Sequence, residues 1–183
     1  PELRKHGYSG RLATGTLAQT VFTVSNSGGT PVTNGVATVA APYTIVSGAT
    51  FSVGAGGSTN VTVQFKPLTA ATFSTNVIFT TANGGNSTNG VTGTGAIVPL
   101  AGFSATPTNG PVPLVVTFTD TSTGTITNRF WNFGGGATTN TLATVLTHPY
   151  TVAGSNTVTL IVTGPVGVIV PSSFWVGGAP RAR

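Results

Sequence analysis

The sequence predicts an all-β chain folded as two tandem β-sandwiches joined by a short linker. Gly, Thr, Val, Ser and Asn dominate its 183 residues, a composition suited to pleated, half-buried surfaces. Short segments alternate apolar and polar residues, and Gly, Asn or Pro interrupts them about every eight to twelve residues, the spacing of sandwich strands. The pattern runs once through residues 18–96, then restarts after Ile97-Val98-Pro99-Leu100. Each half, at roughly 90 residues, is long enough for its own core.

Residues 1–17 show no clear alternation and are read as an N-terminal basic arm carrying Arg4, Lys5, Tyr8 and Arg11. Thr20–Val24 predicts a strand with Phe22 and Val24 on one face, followed by the turn Ser25–Gly29. Further strands are expected over Gly35–Ala41, Tyr43–Val46 and Phe51–Val53. Val61, Val63 and Phe65 alternate with Thr62 and Gln64, and Pro67 ends that strand because it has no amide to donate. Phe73–Thr80 carries Phe73, Val77 and Phe79; Asn83–Asn86 is a hairpin signal, and Val91–Gly95 closes the first sandwich.

After the linker, residues 97–100, the second sandwich is expected over 101–177. Its strands are Phe103–Ala105, Pro113–Thr119 with Leu114, Val116 and Phe118 at period 2, Asn128–Phe133 and Thr139–Leu146. Val158, Leu160 and Val162 then alternate with Thr, and Gly167–Val176 is the last strand. Asn109-Gly110-Pro111 and Gly154 are read as turns, and residues 178–183 as a basic tail ending in Arg181 and Arg183. The expected core anchors are Phe22, Phe65, Phe79, Phe118, Trp131, Phe133 and Tyr150.

Charge excludes most chemistry. Only 5% of residues are charged, and Glu2 and Asp120 are the only acids against seven Lys and Arg. Two acids and no Cys furnish neither the paired carboxylates of glycoside hydrolysis nor a thiol nucleophile nor a carboxylate-rich calcium cage. His6 and His148 stand far apart in sequence, so no metal site is expected. A Ser-His-Asp triad through Asp120 and His148 lacks a nucleophile elbow. The Gly-rich stretches Gly54–Gly57 and Gly134–Gly136 precede no helix, so no phosphate cradle is expected. No catalytic residue and no cofactor is therefore assigned. The basic residues cluster on the two ends rather than along an element, so a nucleic-acid surface is not expected. No run approaches the ~18 apolar residues of a membrane span.

The segments Phe103-Ser104-Ala105, Pro113–Asp120, Trp131-Asn132-Phe133-Gly134, His148-Pro149-Tyr150 and Val158-Thr159-Leu160 resemble a polycystic kidney disease (PKD) domain over about residues 100–177. That family usually has Gly-Asp-Gly after Trp-x-Phe; here the run is Gly134-Gly135-Gly136. In the first half, Phe22–Gly28, Phe65-Lys66-Pro67, Phe73–Phe79 and Val91–Gly95 are similar to ASPM/hydin-type immunoglobulin-like modules. The family's first strand is poorly represented, with His6–Gly10 standing in its place. Both resemblances imply immunoglobulin-like β-sandwiches and extracellular or cell-surface modules used as spacers, stalks or binding units.

Trp131 and Phe133 are read as core rather than as a sugar-stacking platform, and Tyr150 as a corner tyrosine bonding to backbone. His148 is read as a structural hydrogen-bonder, and Asp120 as the cap of a turn with Thr121 and Ser122. Asn60-Val61-Thr62 and Asn86-Ser87-Thr88 match N-glycosylation sequons. Uncharged strand edges and the missing first strand suggest a self-associating subunit of an extracellular filament, sheath or surface layer. Arg4, Lys5, Tyr8, Arg11, Arg181 and Arg183 would then bridge subunits. One alternative is an adhesion or carbohydrate-binding module with a glycan or cell-surface ligand, for which Tyr8, Tyr43 and Phe51 are the aromatic candidates. Another is a phage virion decoration protein.

Overall fold

The computed structural model describes residues 2–4, 9–167 and 169–179. The chain divides into two units, residues 1–97 and 98–183, and the described residues of both are strands and connections without a helix.

The first unit contains β1 (Glu2–Arg4), β2 (Ser9–Ala13), β3 (Ala18–Ser25), β4 (Val32–Thr38), β5 (Tyr43–Ser47), β6 (Thr50–Val53), β7 (Ser58–Phe65), β8 (Thr72–Thr80) and β9 (Ser87–Ala96). They form one sheet ordered β1-β3-β7-β5 and a second ordered β2-β9-β8-β4-β6. Alternation decides which face is buried: Phe22 and Val24 on β3, Val61, Val63 and Phe65 on β7, and Val77 and Phe79 on β8 point inward and meet in one core. Two glycines on β9 permit close approach. A side chain at Gly93 would press its Cβ to 2.6 Å from the Phe65 ring, and one at Gly95 to 2.2 Å from the Thr69 carbonyl.

The expected N-terminal arm is instead part of this unit. β2 lies parallel to β9, from Ser9 opposite Thr92 to Ala13 opposite Ala96, and β1 pairs antiparallel with the end of β3. Leu12 packs against the core while Arg11 is exposed. One large apolar side chain is too few to show as alternation, so the strand is silent in the sequence. The missing first strand is thus supplied by the chain itself, which removes the vacancy from which assembly through an arm was inferred. Lys5 and Tyr8 lie outside the described residues.

The second unit contains β10 (Phe103–Thr106), β11 (Asn109–Pro111), β12 (Leu114–Asp120), β13 (Asn128–Asn132), β14 (Thr138–Thr141), β15 (Val145–Tyr150), β16 (Gly154–Thr163) and β17 (Ile169–Ala179). A sheet ordered β10-β12-β15 packs on one ordered β11-β17-β16-β13-β14. Their inner faces share the core of Leu114, Val116, Phe118, Trp131, Val158 and Leu160, among others. Part of the expected linker belongs here as well. Leu100 and Thr123 exchange backbone hydrogen bonds of 3.0 and 2.9 Å, and Pro99 is buried beside Gly124 and Gly164.

Several expectations are corrected. Asn109–Pro111 is a short strand parallel to the end of β17, and Gly154 is the first residue of β16, opposite Gly178; neither is a turn. Thr139–Leu146 is two strands, β14 and β15, lying in different sheets and parted at residues 142–144; β15 ends at His148-Pro149-Tyr150. The last strand runs to Ala179, so the tail as drawn begins inside the sheet, and Arg181 and Arg183 lie outside the described residues.

Removal of residues 1–13 should therefore destabilise the first unit alone. Loss of the Leu12 contact by itself is expected to cost about 1–2 kcal/mol, and the open β9 edge adds to that. Urea unfolding followed by NMR should show resonances of residues 18–96 melting earlier and those of 101–177 unchanged. Unchanged stability of the first unit would show that β2 is a dispensable arm.

Candidate functional site

The polar and aromatic groups that the sequence marks as chemical candidates lie in the interior. Trp131, with no exposed surface, meets Phe103 edge-on at 5.0 Å and Phe118 at 5.7 Å between ring centroids. Phe133 lies parallel to the Trp131 ring at 6.1 Å and stacks on His148 at 4.4 Å. His148 meets Tyr150 edge-on at 4.8 Å, and the Tyr150 hydroxyl donates a 3.0 Å hydrogen bond to the Phe133 carbonyl. Burial holds the His148 imidazole below its usual 6.5 and pushes the Tyr150 phenol up to about 12, because both lose solvation of their charged forms. The Trp131 Nε1–H is buried without an acceptor among the described residues, a cost that the packing of the ring has to offset. The turn after Phe133 needs its glycines: Gly134, Gly135 and Gly136 have φ of +82°, +59° and +88°, left-handed backbone that other residues adopt at a cost.

Asp120 is committed too. Its Oδ1 accepts from the Ser122 amide at 3.0 Å and from the Ser122 hydroxyl, and its Oδ2 from the Arg129 Nε at 2.5 Å. The Arg129 Nη1 also donates to the Leu142 carbonyl at 3.2 Å. The Asp120 side chain is 3% and that of Arg129 12% exposed. Burial alone would raise the carboxyl's pKa; the bonds from Ser122 and Arg129 outweigh it and hold the carboxyl below its usual 3.8. The turn-capping role was legible from Asp120-Thr121-Ser122, but the partnership with Arg129 was not, because the two meet across separate sheets.

In the first unit, the turn after β3 is held by Asn26, which is 5% exposed. Its amide donates to the carbonyls of Thr30, Val53 and Gly54 at 2.8, 3.2 and 3.1 Å, and its Oδ1 accepts from the Gly28 amide at 3.0 Å. Tyr43 and Phe51, the candidate ligand-facing aromatics, are 2% and 9% exposed core residues; Tyr43 stacks on Phe65 at 4.7 Å. Both carry the inward phase of short strands; Tyr43 is enclosed by the core, while Phe51 also borders a concavity between β4 and β6. Phe22, Phe65, Phe79, Phe118, Trp131, Phe133 and Tyr150 are all buried. Of the charged residues expected to bridge subunits, Arg11 stands exposed on β2, and Arg4 lies in β1 opposite Thr23.

What remains for recognition is the outer surface, and among the described residues the outer face of the five-stranded sheet β2-β9-β8-β4-β6 carries several features. Hydroxyl pairs cross its strands: Thr72 to Thr94 and Ser74 to Thr92, each at 3.0 Å. Val36 and Ile78 stand 39% and 42% exposed among them. β4 leaves the sheet after Thr38, opposite Ile78, because the chain turns at Ala40 and passes through Pro42 into the other sheet. β8 continues to Thr72 beside β9 alone. The gap is a cleft of about 560 Å³ lined by residues that include Thr38, Val39, Ala40, Ser74, Asn76 and Ile78. A second concavity of about 470 Å³ lies along β4 and β6, lined by Asn34, Gly35, Val36, Thr50, Phe51 and Ser52. Sequence reasoning missed this face, because its Thr, Ser and Asn are the chain's commonest polar residues and only the register brings them together. No group of three or more potential metal ligands lies among the described residues.

Residues 97–171 match the family model of the PKD domain. The PKD1 domain of the Vibrio cholerae metalloprotease PrtV is 30% identical over 45% of this chain and 98% of that domain, with a TM-score of 0.38. The PKD1 domain of Vibrio anguillarum Epp is 22% identical over 47% of this chain and 99% of that one, at 0.40. Across both units, murine CEACAM1b is similar at 13% identity over 92% of this chain and 96% of that chain, at 0.50, a likeness of fold. No curated protein matches the chain.

The interior titratable groups predict a stability profile for the second unit. As pH falls through 6.5, the unfolded chain protonates at His148 before the fold does, so stability declines. It declines again below 3.8, where the unfolded chain protonates Asp120 first. Above 10.0 the unfolded chain ionises Tyr150 first, and stability falls once more. Asp120→Asn should abolish the acid step and cost about 3 kcal/mol at neutral pH by leaving Arg129 uncompensated. Urea midpoints measured across pH on both proteins check this.

Proposed function

From the PKD domain at residues 97–171, we propose that the chain is a non-catalytic adhesion-type module of a secreted or surface-exposed protein. The observation that carries this is where the reactive groups sit. Asp120 is bound by Ser122 and Arg129, and the half-buried His148 is stacked on Phe133, so both are engaged in holding the fold. The concave surface of the first unit is lined by hydroxyls, an amide and aliphatic carbon, groups that hold a ligand without transforming it. The first unit is read as an immunoglobulin-like module of the ASPM/hydin type. Support comes from Asn26, whose buried amide ties together the strand-to-turn segment Phe22–Gly28 on which that resemblance rests.

The test is to incubate labelled chain with cellulose, chitin, peptidoglycan and collagen and to measure both retention and release of soluble fragments. Retention on at least one material without fragment release is expected. Fragment release, or retention on none, would overturn the proposal.

A further inference from the structure

We infer that the outer face of the β2-β9-β8-β4-β6 sheet is a binding site for a neutral polysaccharide strand, seated in the cleft where β4 parts from β8. The inference rests on the adhesion function proposed above and names its ligand class and its residues.

The cleft is concave and of small-ligand size, about 560 Å³. The register fixes what a bound strand would meet. Thr50 faces Val36, Val36 faces Thr80 and Thr38 faces Ile78, and Asn76 faces Gly90. Polar groups thus surround two exposed aliphatic side chains, Val36 and Ile78. A hydroxyl both donates and accepts, and an amide does each at separate atoms. Sugar rings present the same combination, hydroxyls at the rim and C–H groups on the faces. Gly90 leaves open the space beside Asn76, whose Oδ1 would be 3.8 Å from a Cβ at position 90.

Charge selects among ligands. Arg11 is the only charged side chain described on this face, and it lies at the β2 edge opposite Thr94. A polyanion would find one cation, too few to neutralise a run of charges.

The test is an amide NMR titration of the full chain with cellohexaose and N-acetylchitohexaose, with polygalacturonate as the acidic control. Saturable shifts are expected at residues 36–38 and 74–78 with at least one neutral oligosaccharide. Asn76→Ala should weaken binding about fivefold, the equivalent of one neutral hydrogen bond, and Ile78→Lys should abolish it. Both side chains are exposed, so unchanged spectra away from the cleft establish that the variants fold. Shifts confined to other surfaces, binding of polygalacturonate alone, or variants that bind as the parent does would overturn the site. Retention on collagen without any shift from the neutral oligosaccharides would overturn it while leaving the adhesion function standing. Loss of retention on every material would overturn both.

Discussion

Packing of large rings between two sheets, with no covalent staple, is the constraint on which the second unit depends. Trp131 fills the centre, and Phe103, Phe118, Phe133, His148 and Tyr150 reach one another through it or around it. The rings come from both sheets, so they set the separation of the layers and the register at which strands can lie. His148 shares in this as a ring more than as a base: its burial favours the neutral form, and the neutral form stacks on Phe133. The Tyr150 hydroxyl then ties β15 to the turn after β13 through one buried bond. The first unit reaches the same end with Phe22, Tyr43, Phe65 and Phe79, and with glycines on β9 where a side chain would collide.

Scarcity of charge follows through the whole molecule. The second unit holds its one acid, Asp120, inside a network with Ser122 and Arg129, where the partner charge and hydrogen bonds offset the cost of burial. Outside, the strands carry Thr, Ser and Asn where many soluble proteins carry Lys and Glu. Such a surface neither attracts nor repels ions at a distance, and it competes for ligands by hydrogen bonding and shape alone. That is the physical link between composition and the proposed role: a neutral, hydroxyl-rich face suits a neutral, hydroxyl-rich partner.

The strongly periodic strands were legible in the sequence. Val61-Val63-Phe65, Leu114-Val116-Phe118 and Val158-Leu160-Val162 each bury one face and expose the other, so period 2 is printed directly in the residues. β2 and β11 were not legible. Each is short, has at most one large apolar side chain, and owes its strand conformation to a parallel partner distant in sequence, β9 or β17. The break between β14 and β15 was hidden because Thr139–Leu146 has strand composition throughout, and only the need to cross between sheets divides it. The core anchors could be named from their size and phase. The cleft could not, because Thr38, Ser74, Asn76 and Ile78 are ordinary surface residues until register places them side by side.

The first unit is closed by its own β1 and β2, which pair with β3 and β9. Amide hydrogen exchange at Gly10–Ala13 and Thr92–Ala96, measured on the full chain over a wide range of protein concentration, tests this most directly. Closure by the chain's own β2 predicts protection at these amides that is the same at every concentration. Protection that is absent in dilute solution and grows as the protein is concentrated would show that β2 completes the sheet of a neighbouring molecule, and would contradict the account.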